Sequence, residues 1–217
     1  MINPLEQGLF APYLRSISFK VLVGVSLLLS MTYQTGWAAV IICPATGAIC
    51  NGTSGDDIMY GTSTSQNIIH GLGGNDYLIA SSSGFNQLWG DDGNDILVGG
   101  YGTDVLLGGR GNDKYDGYWG DDSILEDTAT DGVVGTLTNN DDIISGGEGN
   151  DYIDSGEGSD RIQGGPGDDV IYLDGIRRDF SFDSVNCGSG TGDKIYLFYS
   201  GDNDIATNCE VIWNLDR

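Results

Sequence analysis

The chain has 217 residues, of which 36 are glycine and only 4 proline, and it carries a formal net charge of −23. That charge argues against nucleic acid, whose phosphates need a basic surface, and against an anionic membrane surface. Glycine at this density without a Gly-X-Y period excludes collagen, and a strict period elsewhere in the chain excludes plain acidic disorder.

The N-terminus reads as a secretory signal. Arg15 and Lys20 precede an apolar run from Val21 to Leu29, and Gly36-Trp37-Ala38 supplies small residues before a cleavage point. The run is short of the about 20 residues needed to span a bilayer. Residues 1–38 are therefore expected to be a signal peptide, with the mature chain secreted and no membrane contact after cleavage. Residues 39–51 follow as an N-terminal cap segment.

From Gly52 to Tyr172 one nine-residue phrase recurs, Gly-Gly-x-Gly-x-Asp-x-aliphatic-x. Clear copies begin at Gly90, Gly99, Gly146 and Gly164. A short repeat with a fixed turn half and a fixed strand half predicts a solenoid. Glycines permit the tight turn, and the middle residue of each short strand points inward. Two repeats complete one coil, giving two parallel sheets with a glycine-rich turn on each side. The fold class is all-β, a right-handed parallel β-roll over residues 52–175 followed by a C-terminal cap over 176–217.

Position eight reads Met59, Ile69, Leu78, Leu88, Leu97, Leu106, Tyr115, Ile124, Val133, Ile144, Ile153, Ile162 and Ile171. Every member is apolar or aromatic, so this series is the expected core, a single file along the axis. Position six reads Asp57, Asn67, Asp76, Asn86, Asp95, Asp104, Asp113, Asp122, a degenerate Asp131, Asp142, Asp151, Asp160 and Asp169. Alternate members should share a side. Counting Asp131 puts Asp142 and Asp160 above Asp122, and Asp151 and Asp169 above Asp113. Residues 126–140 break the pattern and should form a bulge or loop between two blocks of coils. The Asn67 and Asn86 repeats are one residue too long and lack the full glycine set. Their turns are expected to close through polar side chains, without metal.

These repeats resemble the RTX (hemolysin-type) calcium-binding repeats of secreted bacterial proteins, which form parallel β-rolls. The resemblance spans Gly52–Tyr172. It implies calcium between consecutive turns of one side, held by glycine-loop carbonyls and by position-six carboxylates of repeats n and n+2. On this sequence the metal ligands would be Asp57, Asp76, Asp95, Asp104, Asp113, Asp122, Asp142, Asp151, Asp160 and Asp169. Asn67, Asn86 and Asp131 depart from the family pattern. The residue chemistry points the same way. Carboxylates stacked one strand spacing apart, about 4.8 Å, repel unless a cation lies between them. Calcium accepts 6–8 oxygens in tolerant geometry, whereas magnesium demands a strict octahedron. Aspartate also terminates turns in its own right, but a dozen copies in phase with an aliphatic stack exceed that role.

The four cysteines flank the repeats. Of their three connectivities, the local pairs Cys43–Cys50 and Cys187–Cys209 are favoured, because the ends of a solenoid lie far apart. After Ile176 the phrase stops. Aromatics Phe180, Phe182, Tyr196, Phe198, Tyr199 and Trp213 are expected to cover the open end, as solenoid ends need. Asp193 stands at a repeat-like position and could close one more site.

No catalytic residue is assigned and the chain is not expected to be an enzyme. His70 lies at a strand end with no nucleophile motif beside it. The acid pairs Asp91-Asp92 and Asp121-Asp122 are explained by repeat phase rather than by paired-carboxylate hydrolysis. Tyr101, Tyr118 and Trp119 leave room for a polysaccharide or cell-surface partner, and less so for a polysaccharide-modifying activity.

Overall fold

The computed structural model describes residues 38–45, 47–81, 83–125, 140–173, 182–197 and 204–214. The expected signal peptide, Asp131 and Val133 lie outside them. Among the described residues no helix is long and apolar enough to cross a membrane.

The first coils hold β1 (Val40–Ile42), β2 (Ile49–Asn51), β3 (Ile58–Tyr60), β4 (Gln66–His70), β5 (Tyr77–Ile79) and β6 (Phe85–Asp92). The middle coils hold β7 (Ile96–Tyr101), β8 (Val105–Arg110), β9 (Lys114–Trp119), β10 (Ser123–Leu125), β11 (Ile143–Ser145) and β12 (Tyr152–Asp154). The last hold β13 (Arg161–Gly165), β14 (Val170–Leu173), β15 (Ser184–Gly188), β16 (Lys194–Leu197), β17 (Ile205–Thr207) and β18 (Val211–Asn214). Odd strands form one nine-stranded sheet and even strands another. Neighbours within each sheet are parallel, because the chain returns to the same sheet in the same direction after each coil. The fold is the expected parallel β-roll.

The core forms two files rather than one, since alternate repeats feed opposite sheets. Met59, Leu78, Leu97, Tyr115, Ile144, Ile162 and Val185 are register partners along the odd sheet. Ile69, Leu88, Leu106, Ile124, Ile153, Ile171 and Ile195 are partners along the even sheet. None of these is more than 3% exposed. Burying each such aliphatic contributes about 1.5–3 kcal/mol, which a lone repeat could not gather. At Gly111 φ is +129° and a Cβ would strike the Gly93 carbonyl of the preceding coil, so this corner stacks only as glycine.

The strand pairing corrects the assignment of columns beyond Leu125. Strand β11 pairs with β9, placing Ile144 beside Tyr115, and β12 pairs with β10, placing Ile153 beside Ile124. Among the described residues, β10 and β11 are thus consecutive strands of the roll, with no half coil between them. Asp142 follows Asp113, and Asp151 follows Asp122. The step between these partners is 29 residues, against 18 for Asp95 to Asp113. Loop closure costs grow slowly with length, so a long connection at a turn leaves the register to the next buried aliphatic.

Both local disulfides are present, Cys43–Cys50 and Cys187–Cys209. The second ties β15 to the turn before β18. Beyond the repeats, β15–β18 extend both sheets rather than closing them. The aromatics expected to cover the end behave differently as well. Tyr196 stacks on Tyr172 at 4.5 Å and faces Trp213 at 6.5 Å along the flank of the even sheet. Trp213 is 52% exposed and Phe182 45%. In β16 the inward position belongs to Ile195, so its neighbour Tyr196 must point outward. Phe180, Phe198 and Tyr199 lie outside the described residues.

Candidate metal centre

Among the described residues, the turns at the ten expected acids each end in an aspartate that faces inward and stacks on its counterpart one coil away. On turns leading into the odd sheet, the backbone N–H of Asp57 donates to Asp76 Oδ1 at 2.7 Å, Asp76 to Asp95 at 2.7 Å, and Asp95 to Asp113 at 2.7 Å. Asp113 donates to Asp142 at 2.7 Å and Asp142 to Asp160 at 2.9 Å. On turns leading into the even sheet, Asp104 donates to Asp122 at 2.8 Å, Asp122 to Asp151 at 2.9 Å and Asp151 to Asp169 at 2.9 Å. All ten residues expected as ligands thus fall into two columns, one on each edge of the roll. The pairs Asp57/Asp76, Asp76/Asp95, Asp95/Asp113, Asp104/Asp122, Asp142/Asp160 and Asp151/Asp169, each two repeats apart in the sequence, are all adjacent. Asp113/Asp142 and Asp122/Asp151 are additional.

Each carboxylate spends Oδ1 on the coil before it. The second oxygen, Oδ2, of Asp76, Asp95, Asp104, Asp113, Asp122, Asp142, Asp151 and Asp169 is buried and without a hydrogen-bond partner. A buried polar atom left this way costs about 1–3 kcal/mol, more if charged. The first glycine of each repeat explains where these oxygens point. A Cβ on Gly90 would meet both Asp95 Oδ2 and the carbonyl oxygen of Gly108 in the next coil. The same pairing recurs at Gly71 with Asp76 and Gly90, at Gly99 with Asp104 and Gly117, and at Gly146 with Asp151 and Gly164. Carboxylate and carbonyl oxygens converge on a space that glycine leaves open.

Loss of water pushes these acids up. Asp104, Asp113 and Asp169 rise to about 6, Asp76, Asp95 and Asp151 to about 7, Asp122 and Asp142 to about 8, and Asp160 to about 9. The N–H from the preceding coil opposes the rise in each. Carboxylates on adjacent coils add to it, as Asp113 does for Asp95 and Asp151 for Asp122. At Asp160 the first glycine is replaced by Ser155, whose hydroxyl eases the rise.

The donor set fits a hard cation. Among the described residues no three His, Cys, Asp or Glu side chains converge, so an ion here would draw much of its shell from carbonyls, as calcium does. The early turns into the even sheet differ. Asn67 Nδ2 donates to Asn86 Oδ1 at 2.6 Å, to Ser81 Oγ at 2.8 Å and to the Ser63 carbonyl at 3.1 Å. Asn86 Nδ2 donates to Asp104 Oδ1 at 2.8 Å. These amides bring their own protons, and polar side chains close the turns.

The family described as the RTX calcium-binding nonapeptide repeat (4 copies), HemolysinCabind, matches residues 51–83, 89–124 and 137–171. The chain belongs to the RTX calcium-binding repeat proteins. No curated protein matches it. The RTX roll is a calcium-binding structural unit, and most of the acids in the two columns lie within the matched residues.

Four acids beyond the matched residues join the columns. Asp160 N–H donates to Asp183 Oδ1 at 2.8 Å and Asp183 N–H to Asp204 Oδ1 at 2.9 Å. Asp169 N–H donates to Asp193 Oδ1 at 2.8 Å, and Asp193 N–H to Glu210 Oε2 at 2.9 Å. Apart from Asp193, sequence reasoning missed them because the glycines are gone. The surviving signal is an acid two residues before a small or aliphatic residue, as in Asp183-Ser-Val185 and Glu210-Val-Ile212.

The other candidates separate. His70 stacks on Trp89 at 4.4 Å and lies 3.5 Å from Asp91, on the outside of the roll. Asp92 faces Arg110 at 3.5 Å. Asp121 is exposed and accepts from the Asn150 N–H at 2.8 Å, while Asp122 points inward. Adjacent acids thus face opposite ways and do not form a carboxylate pair.

Proposed function

We propose that this chain is an extracellular calcium-binding RTX roll without catalytic activity, whose folding is coupled to calcium. Its proposed ligands are Asp57, Asp76, Asp95, Asp104, Asp113, Asp122, Asp142, Asp151, Asp160 and Asp169, with glycine-turn carbonyls beside them. The observation that carries the reading is the row of buried Oδ2 oxygens without partners, of which those of Asp76, Asp95, Asp104, Asp122, Asp151 and Asp169 each share the space beside a glycine with a carbonyl of the next coil. When bound, calcium supplies the positive charge that these oxygens lack, and binding free energy adds to folding free energy. The chain's own part is to hold Oδ1 against the preceding coil and leave Oδ2 aimed at the opening. Without a cation the columns repel and the coils have less reason to stack. Extracellular calcium modules bind at about 10⁻⁴–10⁻³ M, so a low-calcium cytoplasm would leave the chain unstacked and exportable. The two disulfides support an oxidising destination.

The test is a calcium titration of chelator-treated protein followed by far-ultraviolet circular dichroism, with magnesium as control. A cooperative gain of β-structure with calcium alone supports the proposal. A fully folded, calcium-indifferent chain overturns it.

A second, additional role as a polysaccharide or cell-surface binder rests on one cluster. Tyr101, Tyr118 and Trp119 are 44%, 43% and 50% exposed, with ring centroids 5.3 and 5.4 Å from Tyr101. Tyr118 is held at φ +77° at a turn position that is glycine in Gly100, Gly109, Gly147 and Gly165, though Leu72 and Asp91 share the same conformation. Retention on a polysaccharide gel, lost in Trp119→Ala, would support this role; no retention by the wild-type protein removes it.

A further inference from the structure

The turn from Cys187 to Asp193 lies outside the residues that match the family, and its sequence, Cys-Gly-Ser-Gly-Thr-Gly-Asp, has one residue too many for the repeat. It nevertheless keeps the register of the turn beneath it. Gly188 pairs with Gly165, and the Thr191 N–H donates to Asp168 Oδ1 at 3.0 Å, which leaves Gly192 as the extra residue. Asp193 then lands on Asp169, whose N–H donates to its Oδ1 at 2.8 Å.

The interior of this corner carries the marks of the consensus turns. Asp169 and Asp193 are both fully buried, and the Oδ2 atoms of both lack hydrogen-bond partners. A Cβ on Gly164 would meet Asp169 Oδ2 and a carbonyl oxygen of the next coil. Here that carbonyl belongs to Cys187, where the consensus has glycine. Cys187 is itself fully buried and disulfide-bonded to Cys209. The bond therefore fixes the backbone that presents the oxygen.

We propose that Asp169, Asp193 and the Cys187 carbonyl form a further calcium site, clamped by the Cys187–Cys209 disulfide, outside the recognised repeats. It rests on the reading of the repeats as calcium sites. The residues at this corner supply two carboxylates and a carbonyl, the oxygen chemistry that suits a divalent hard ion. Because the disulfide holds one donor in place, site and bond are thermodynamically linked. An intact bond raises affinity for calcium, and bound calcium must protect the bond by the same factor.

The test uses the full chain and calcium alone. Equilibrium dialysis should show Asp193→Asn binding one ion fewer per chain than wild type, with Asp121→Asn, an exposed acid outside the columns, unchanged. Equilibration in a buffer of reduced and oxidised dithiothreitol, the reduced form being oxidised as the disulfide takes up two electrons and two protons, is then read by alkylation of each cysteine. Calcium should shift the reduction equilibrium of Cys187–Cys209 by about tenfold toward the disulfide in wild type, and this protection should vanish in Asp193→Asn while Cys43–Cys50 stays as in wild type. An unchanged ion count in Asp193→Asn, or protection of Cys187–Cys209 that survives the substitution, overturns this site while leaving the repeat sites standing. A wild-type chain that binds no calcium overturns both.

Discussion

The backbone N–H of Asp113 donates to Asp142 Oδ1 at 2.7 Å across 29 residues of sequence, the same contact that Asp95 makes with Asp113 across 18. The stack is therefore indifferent to how much chain separates two coils at that edge. Deleting residues 127–137 should leave the circular dichroism spectrum and the calcium midpoint within about twofold of wild type, since loop closure depends only weakly on length. Loss of the folded spectrum would show that the register is set within the deleted segment.

Asp95 and Asp104 lie in opposite columns, each with a buried, unpartnered Oδ2. Alanine at either position removes a carboxylate and its contact to the preceding coil. The calcium midpoint of folding should rise by about tenfold, in keeping with the strong dependence of calcium affinity on ligand charge. An unchanged midpoint for both variants would count heavily against these sites.

In chelator, pH should act with an unusual sign. An unfolded aspartate titrates near 3.8, whereas Asp122 and Asp142 in the roll titrate near 8 and Asp95 near 7. Between those values the folded chain binds more protons than the unfolded one, so stability falls as pH rises. The contribution is fully present below about pH 4 and is lost progressively from there up to about pH 8, the folded value of Asp122 and Asp142. The metal-free chain should therefore lose β-structure as pH rises from about 4.5 to about 8.5, and saturating calcium should remove that loss. Metal-free β-structure that increases with pH contradicts the buried-acid geometry.

Asn67 and Asn86 close their turns by donating amide protons that aspartate does not have. The double substitution Asn67→Asp, Asn86→Asp should cost about 1–3 kcal/mol in saturating calcium, the penalty for buried acceptors left without donors. Denaturant unfolding measures it. Stability equal to wild type would mean that these amides are dispensable.

Much of this molecule was legible because its code is local. Met59 and Leu78 lie in the core, and Asp57 and Asp76 in the turn, for reasons contained within nine residues: glycine where the backbone bends, and an inward side chain two residues after the acid. Any repeat obeys that logic wherever it falls in the stack. The long-range outcomes were not local. Whether Asp142 joins Asp113 or Asp122 depends on which sheet the chain enters after residues 126–139, and strand pairing decides that by burying Ile144 beside Tyr115. The inclusion of Asp183, Asp193, Asp204 and Glu210 in the columns likewise follows from strands β15–β18 finding register on the coils below. A period in sequence specifies what each residue faces, in or out; only stacking specifies what lies next to it, because hydrogen bonds between coils join residues that the period cannot count across an interruption.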